Sequence, residues 1–356
     1  MFNLFRDSHD VGGVVVDRPG VATDLEPRVA PSSHRALRVK VASTGFYAPP
    51  RVETAAELAP RIGRSEEWIV TSTGVQERRI SEEPVEVMGA HAARAALGSG
   101  RPPDLIINAS TSARQLIPDT SVFIQDQLGF EGIPSYSVHA TCLSFLVGLH
   151  NAAALVAAGA YHRVLVVSAE AGSVARNLAE PESAALLGDG AAAAVLEPTP
   201  EGEASEILDF LMTTWPKGAS LTELRGAGQR CHPNDARTRP EDNLFRMDGP
   251  SVYKMARRRV VGLVQALLSR NGLRPDEVDW VVPPQASGPA LELVPRLGFR
   301  AERVVNIIRH YGNCVAASVP MALAHAAAAG HLQRGNRVLL LGSGAGLSVA
   351  GALLRW

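Results

Sequence analysis

Asp104-Leu-Ile-Ile-Asn-Ala-Ser-Thr-Ser112 returns in altered form 175 residues later as Asp279-Trp-Val-Val-Pro-Pro-Gln-Ala-Ser287. Each reads as a short buried strand running into a turn. A second pair keeps nearly the same spacing. Ala158-Gly-Ala-Tyr-His-Arg-Val-Leu-Val-Val167 matches Ala329-Gly-His-Leu-Gln-Arg-Gly-Asn-Arg-Val-Leu-Leu-Leu341, with Arg337 placed 174 residues after Arg163. Between these anchors Cys142 and Asn313 stand 171 residues apart, each on the approach to an alanine-rich helix. Chance similarity of apolar strands could explain either match alone. The shared order at coincident offsets favours a duplicated α/β unit. Alternating strands and helices predict largely parallel sheets covered by helices.

Outward from the repeat, residues 1–38 are rich in Pro, Asp, Arg, Ser and Gly without periodicity and read as an N-terminal extension. A first half is expected over 39–205 and a second over 206–356. Regular structure is expected to begin with a strand at Leu37–Ser43. Ser65 should cap a helix, and Val85–Leu97 should form another. Gly188-Asp189-Gly190 predicts a tight turn between strands.

Composition narrows the function. Hydrophobic residues make up 46% of the 356 positions and charged residues 20%, as in soluble globular chains. A formal net charge of −1 gives no field to attract nucleic acid or an anionic membrane. Three cysteines without CxxC or Cys/His spacing point to free thiols in a reducing compartment and to no metal site. Neither a signal peptide nor a membrane span is apparent; the nearest apolar run, Ala152–Ala160, is short. The expectation is a cytoplasmic protein without nucleic-acid or membrane partners.

Tyr136-Ser-Val-His-Ala-Thr-Cys142 reads as a strand and sharp turn, followed by a helix apolar nearly all round and stopped by Gly159. Cys142 is then expected in the first helical turn, where unpaired amides and the helix dipole favour the thiolate. Exposed amides there could also hold a tetrahedral oxyanion. A small buried hydrophobe is the other reading of a free cysteine.

Further stretches carry a resemblance: Ser65-Glu-Glu-Trp-Ile-Val-Thr-Ser-Thr-Gly-Val-Gln-Glu-Arg-Arg79, Ala140-Thr-Cys142, Leu187-Gly-Asp-Gly-Ala191, Phe245-Arg-Met-Asp-Gly-Pro-Ser-Val-Tyr-Lys254, Tyr311-Gly-Asn-Cys-Val-Ala-Ala-Ser-Val-Pro320 and Gly342-Ser-Gly-Ala-Gly346. In this order, from about Val39 to Trp356, the chain resembles ketoacyl-acyl carrier protein synthase III of the thiolase superfamily. The resemblance implies a thiolase-like α/β fold, a duplicated αβαβα five-layer sandwich, and a homodimer. It also implies an acyl-CoA or acyl-carrier-protein substrate, with no permanently bound cofactor.

Carried onto this sequence, it makes Cys142 the nucleophile, Asn313 the asparagine that binds a malonyl thioester carbonyl, and the Ala345 backbone N–H an oxyanion donor. Trp68, Phe245, Gly344 and Pro284 fall at substrate-binding positions, and Ile117 at one that lines the acyl pocket of the partner subunit. Pro284 stands where the family has its catalytic histidine, and proline neither donates a hydrogen bond nor moves a proton. Ser72 replaces an arginine expected to clasp the CoA nucleotide. Pro289 and Pro295 follow in the same remodelled stretch. Lys254, Arg257 and Arg258 suggest a docking surface for an acidic carrier protein; a solvated helix face is the plain alternative. His139 and His310 are weak substitutes for the missing imidazole, and His150, on the apolar helix, is expected to be a satisfied core residue.

Three functions follow. The first is acyl transfer through an acyl-Cys142 thioester without ordinary decarboxylative condensation. The second is an active synthase performing Claisen condensation with a malonyl thioester. The third is a non-catalytic subunit partnering an active homologue. The glycine-rich Gly342–Gly346 segment lacks GxGxxG spacing and a following βα unit, so a dinucleotide site is a poor reading.

Overall fold

The computed structural model describes residues 36–226 and 228–356. Of the predicted extension only 36–38 lie among them, and there Leu37 pairs with Ile207. One sheet is built from β1 (Val39–Tyr47), β2 (Leu105–Asn108), β3 (Ser135–Ser137), β4 (Val164–Ala171) and β5 (Asp189–Pro198), in the order β1-β5-β4-β2-β3. Strand β2 runs parallel to β3 and β4, whereas β5 is antiparallel to β1 and β4.

The other sheet contains β6 (Glu206–Gly218), β7 (Trp280–Val282), β8 (Arg337–Gly344) and β9 (Gly346–Arg355), in the order β7-β8-β9-β6. Its β7 and β8 are parallel, and β9 is antiparallel to both neighbours. A parallel bridge from Val281 to Val304 extends it beyond β7, as β3 does beyond β2. The two sheets therefore repeat one order and one set of directions. They are mixed rather than largely parallel, because each half closes with an antiparallel strand and β8 turns directly into β9.

Four helices complete the layers: α1 (Val85–Leu97), α2 (Ser144–Ala157), α3 (Gly249–Arg270) and α4 (Ser318–Ala328). Alternation along the strands assigns each face. On β5, Ala191, Ala193 and Val195 pack with α1, while Ala192, Ala194 and Leu196 join the central core with α2 and α4. On β8, Leu339 and Leu341 meet Leu263, Val264 and Leu267 of α3, while Val338 and Leu340 face inward. The result is helix, sheet, helix pair, sheet, helix. Phe145, Leu146 and Leu149 of α2 are each 1% exposed, and burying one such side chain contributes about 1.5–3 kcal/mol. The side of α2 that the sheets leave uncovered, with Val147, His150, Asn151 and Leu155 half-buried and Ala154 exposed, is itself mostly apolar, so the helix carries no continuous polar stripe.

Local expectations hold in several places. The Ser65 hydroxyl accepts the Trp68 N–H at 3.1 Å, capping a helix over Glu66–Thr73. The Val85–Leu97 helix has its expected bounds, and Gly159 follows the end of α2 with φ 73°. The first strand runs Val39–Tyr47 rather than Leu37–Ser43. Gly188–Gly190 is not a tight turn between strands. Asp189 and Gly190 open β5, and the Gly188 N–H donates to the Asn313 carbonyl at 3.1 Å. Its backbone is thus engaged in tertiary pairing between the two half-sequences.

Candidate active site

Cys142 sits on an elbow ahead of α2, two residues before its first helical residue, rather than inside the first turn. Thr141 has φ 53°, a left-handed conformation costly for a β-branched residue. Ser144 ties the elbow: its hydroxyl accepts from Ala140 N–H at 2.9 Å and donates to the Thr141 carbonyl at 2.7 Å. The β8–β9 turn closes over this elbow. A Cβ on Gly344 would lie 2.6 Å from Thr141 Oγ1 and 3.4 Å from the Cys142 nitrogen. Only glycine permits that approach, and it sets the Ala345 amide where it favours the Cys142 thiolate.

Asn313 comes from the second half. Its N–H donates to the Leu186 carbonyl at 2.7 Å and its carbonyl accepts from Gly188, inserting it beside the start of β5. Its side-chain Oδ1 accepts from Val315 N–H at 2.9 Å and from Ser318 Oγ at 3.3 Å. With the oxygen engaged, the Nδ2 group is left as the donor (amide orientation follows from this network). Asn313 lines a cavity of about 480 Å³ between α3, the Pro283–Leu297 segment and β8.

Among the predicted site residues, Trp68, Pro284, Asn313 and Arg257 line this cavity. Arg257 joins Lys254 and Arg258 around an adjoining depression, all three exposed on α3. Cys142, Ala345, Phe245 and Gly344 are not on the cavity wall. The Phe245 N–H donates to the Ala175 carbonyl at 2.8 Å, and Gly344 acts through its packing on the elbow. Ile117 is 86% exposed on a loop with Leu116, away from the cavity wall. His139 is exposed and His310 is held by Glu77 at 3.3 Å; neither lines the cavity. His150 stacks on Phe210, and its Nδ1 has no hydrogen-bond partner, so it is not the satisfied core residue expected.

The electrostatics differ from expectation. Burial pushes the Cys142 thiol up to about 11, and the negative charge of Glu170 adds to that, while the amides of Ala345 and Cys142 itself favour the thiolate. Burial and a carboxylate therefore outweigh the local amides, and Cys142 rests as the thiol. Glu170 was not singled out in the sequence, although it is a charged residue near the end of an apolar strand. It is fully buried and its carboxylate accepts from Thr111 N–H at 2.5 Å, Ser112 N–H at 2.9 Å and Ser112 Oγ at 2.7 Å. Burial nevertheless pushes it up to about 7.

A paired-sheet sandwich with a cysteine elbow in one half and an inserted asparagine in the other defines the thiolase-like class of proteins. Residues 136–216 match the family model described as 3-oxoacyl-(acyl-carrier-protein) synthase III, and 268–356 match its C-terminal counterpart. A beta-ketoacyl-(acyl-carrier-protein) synthase III of Nitratidesulfovibrio vulgaris is 36% identical over 91% of this chain and 100% of its own length. The crystal structure of 3-oxoacyl-(acyl-carrier-protein) synthase III from Aquifex aeolicus matches with a TM-score of 0.81 at 32% identity, covering 89% of this chain and all of that one. The priming beta-ketosynthase from the R1128 polyketide pathway matches with a TM-score of 0.82 at 31% identity, covering 90% and 96%. The chain belongs to the beta-ketoacyl-(acyl-carrier-protein) synthase III family, a family of acyltransferases.

Proposed function

We propose that this protein takes an acyl group from a CoA or carrier-protein thioester onto Cys142 and passes it to a second substrate in the cavity over Asn313, without help from an imidazole. The observation that carries this is the close packing of the Gly344 turn on the Cys142 elbow, which sets the Cys142 and Ala345 amides where they favour the thiolate and could hold the oxygen of a tetrahedral intermediate. The donor thioester carbonyl is attacked by Cys142, the thiol of the donor leaves, and an acyl-thioester remains. The donor arm enters through the cavity, past Trp68. Carrier protein docks on Lys254, Arg257 and Arg258.

The second half-reaction is where Pro284 matters. It lines the cavity with Asn313, and the resemblance assigns its position to a histidine. Loss of one positioned donor to an oxyanion typically costs on the order of 10²–10³ in rate. Transfer to an oxygen, nitrogen or unusual carbon nucleophile is thus one route. Condensation with a malonyl thioester is the other, favoured by the retained Asn313 geometry and by the names of the relatives.

We also read the chain as two halves meeting near Ser205–Glu206, as a homodimer and as cytoplasmic. Leu116 and Ile117, 72% and 86% exposed, are apolar enough to seek a partner subunit. The three free thiols fit a reducing compartment. Among the described residues, no helix is long and apolar enough to cross a membrane.

Mass spectrometry after incubation with acetyl-, hexanoyl- and decanoyl-CoA tests the first step: an adduct on Cys142 that disappears in Cys142→Ala is expected. No adduct, with co-purification of a second synthase-like chain, would instead support the non-catalytic subunit. Release of ¹⁴CO₂ from malonyl-CoA by the wild type and by Pro284→His separates the two routes.

A further inference from the structure

The cavity wall contains hydroxyls that the roles above leave unused: those of Ser72 and Tyr253, both exposed, and that of Ser343. Leu341 and Ser343 of β8 both face the cavity, while the alternate positions Gly342 and Gly344 face the elbow and α2. Ser343 lies immediately before the glycine that abuts the Cys142 nitrogen and two residues before Ala345, whose amide favours the Cys142 thiolate. It is partly exposed, and its hydroxyl makes no hydrogen bond to any described residue. Other hydroxyls of the same wall differ. Thr73 Oγ1 donates to the Ile69 carbonyl at 2.6 Å, Ser287 Oγ accepts from Ala290 N–H at 3.3 Å, and Ser72 is exposed near Trp68. Pro283 and Pro284 have no N–H to offer. Ser343 Oγ is therefore the hydroxyl of this wall nearest in the chain to the glycine that packs on the Cys142 elbow, and Asn313 Nδ2 is a second free donor on the same wall.

We propose that Ser343 is a further catalytic residue, and that its hydroxyl acts with the Asn313 carboxamide to hold the carbonyl oxygen of the second substrate, a malonyl-type thioester. This rests on the acyl-Cys142 reading. In the step it assists, the bond between the malonyl α-carbon and its carboxylate breaks and CO₂ leaves. The electron pair moves into an enolate whose oxygen accepts hydrogen bonds from Ser343 and Asn313. The enolate carbon attacks the acyl carbonyl on Cys142, a C–C bond forms, and the C–S bond breaks. Sulfur departs as the thiolate toward the Cys142 and Ala345 amides and takes a proton from solvent. No base removes a substrate proton, so a hydrogen-bond donor is all the enolate oxygen requires. A hydroxyl meets that requirement where proline leaves no imidazole.

The test uses the full chain, loaded from the same three acyl-CoA donors and then mixed with ¹⁴C-carboxyl-labelled malonyl-CoA or malonyl-loaded carrier protein. Ser343→Ala should lower kcat for CO₂ release by about 10²-fold, the scale of losing one oxyanion donor. Acyl-Cys142 formation, the malonyl KM and the urea midpoint should stay near wild type. Ser343→Thr should recover most of the rate, a rescue that a packing defect would not show. Two results overturn the inference and leave the acyltransferase reading standing. One is Ser343→Ala at the wild-type rate; the other is a wild-type protein that forms acyl-Cys142 yet releases no CO₂. A wild-type protein that never forms acyl-Cys142 defeats both.

Discussion

The backbone N–H of Ala345 favours the thiolate of Cys142, although one residue lies in the β8–β9 turn and the other on the elbow before α2, far apart in sequence. The contact depends on Gly344, which lets the β8–β9 turn lie against the elbow. A methyl group there would overlap Thr141 Oγ1 and press on Leu143, so turn and elbow must separate. Gly344→Ala is expected to cost about 1–3 kcal/mol of stability and to slow acylation of Cys142 by at least tenfold. Chemical denaturation and the rate of adduct formation by mass spectrometry check both. Wild-type acylation in this variant would remove the Ala345 amide from the mechanism.

Glu170 and Cys142 should titrate as neighbours. Ionisation of Glu170 near pH 7 disfavours the thiolate, so the thiol is easier to ionise below that pH than above it. The logarithm of the iodoacetamide reaction rate should therefore rise with pH by less than one per unit between roughly pH 6 and 8. Glu170→Gln should restore unit slope and react faster at pH 8. The stability effect has its own sign. A carboxyl raised in the folded state contributes stability present below its unfolded value, 4.5, and lost as pH rises through about 7. Thermal melts from pH 4 to 8 should show wild type losing ground relative to Glu170→Gln across that window.

Arg78 is fully buried, donates to the Ala184 and Ala185 carbonyls at 3.3 and 2.9 Å, and stands 3.9 Å from Glu53. Its Cβ packs toward Gly188, whose N–H bonds the Asn313 carbonyl, and toward Gly312, which precedes Asn313. Arg78→Ala leaves buried carbonyls and Glu53 short of a partner. A loss of about 3–5 kcal/mol is expected. Urea denaturation measures it; a change below about 1 kcal/mol would mean that Arg176 and Arg61 suffice for Glu53.

The exposed cations on α3 are expected to govern partner encounter rather than chemistry. Charge reversal at Arg257 and Arg258 should reduce the association rate with an acidic acyl carrier protein about tenfold at low salt, and the deficit should shrink as salt is added. Turnover of a short N-acetylcysteamine thioester should change little. Equal losses with both donors would argue against a docking role.

Much of the architecture was legible in the sequence because a duplicated unit leaves periodic traces. The matched strands at Asp104 and Asp279, the helix at Val85–Leu97 and the apolar α2 all follow from side-chain periodicity, which is local. Cys142 and Asn313 were legible as paired positions within that repeat. Ser65 and Gly159 were legible because capping is settled by a few neighbouring residues.

What the sequence alone determined is the duplicated α/β organisation and the chemical types available to a site. The tertiary structure decided what those groups experience. Cys142 sits before α2, and burial beside Glu170 outweighs the amides that a helix start suggested. Pro284 and Ser343 share a cavity wall with Asn313, an adjacency no spacing reveals. The physical reason is range. Helix caps and strand alternation are set within a few residues, whereas desolvation, charge coupling and the opening beside Asn313 arise only when segments distant in the chain are packed together.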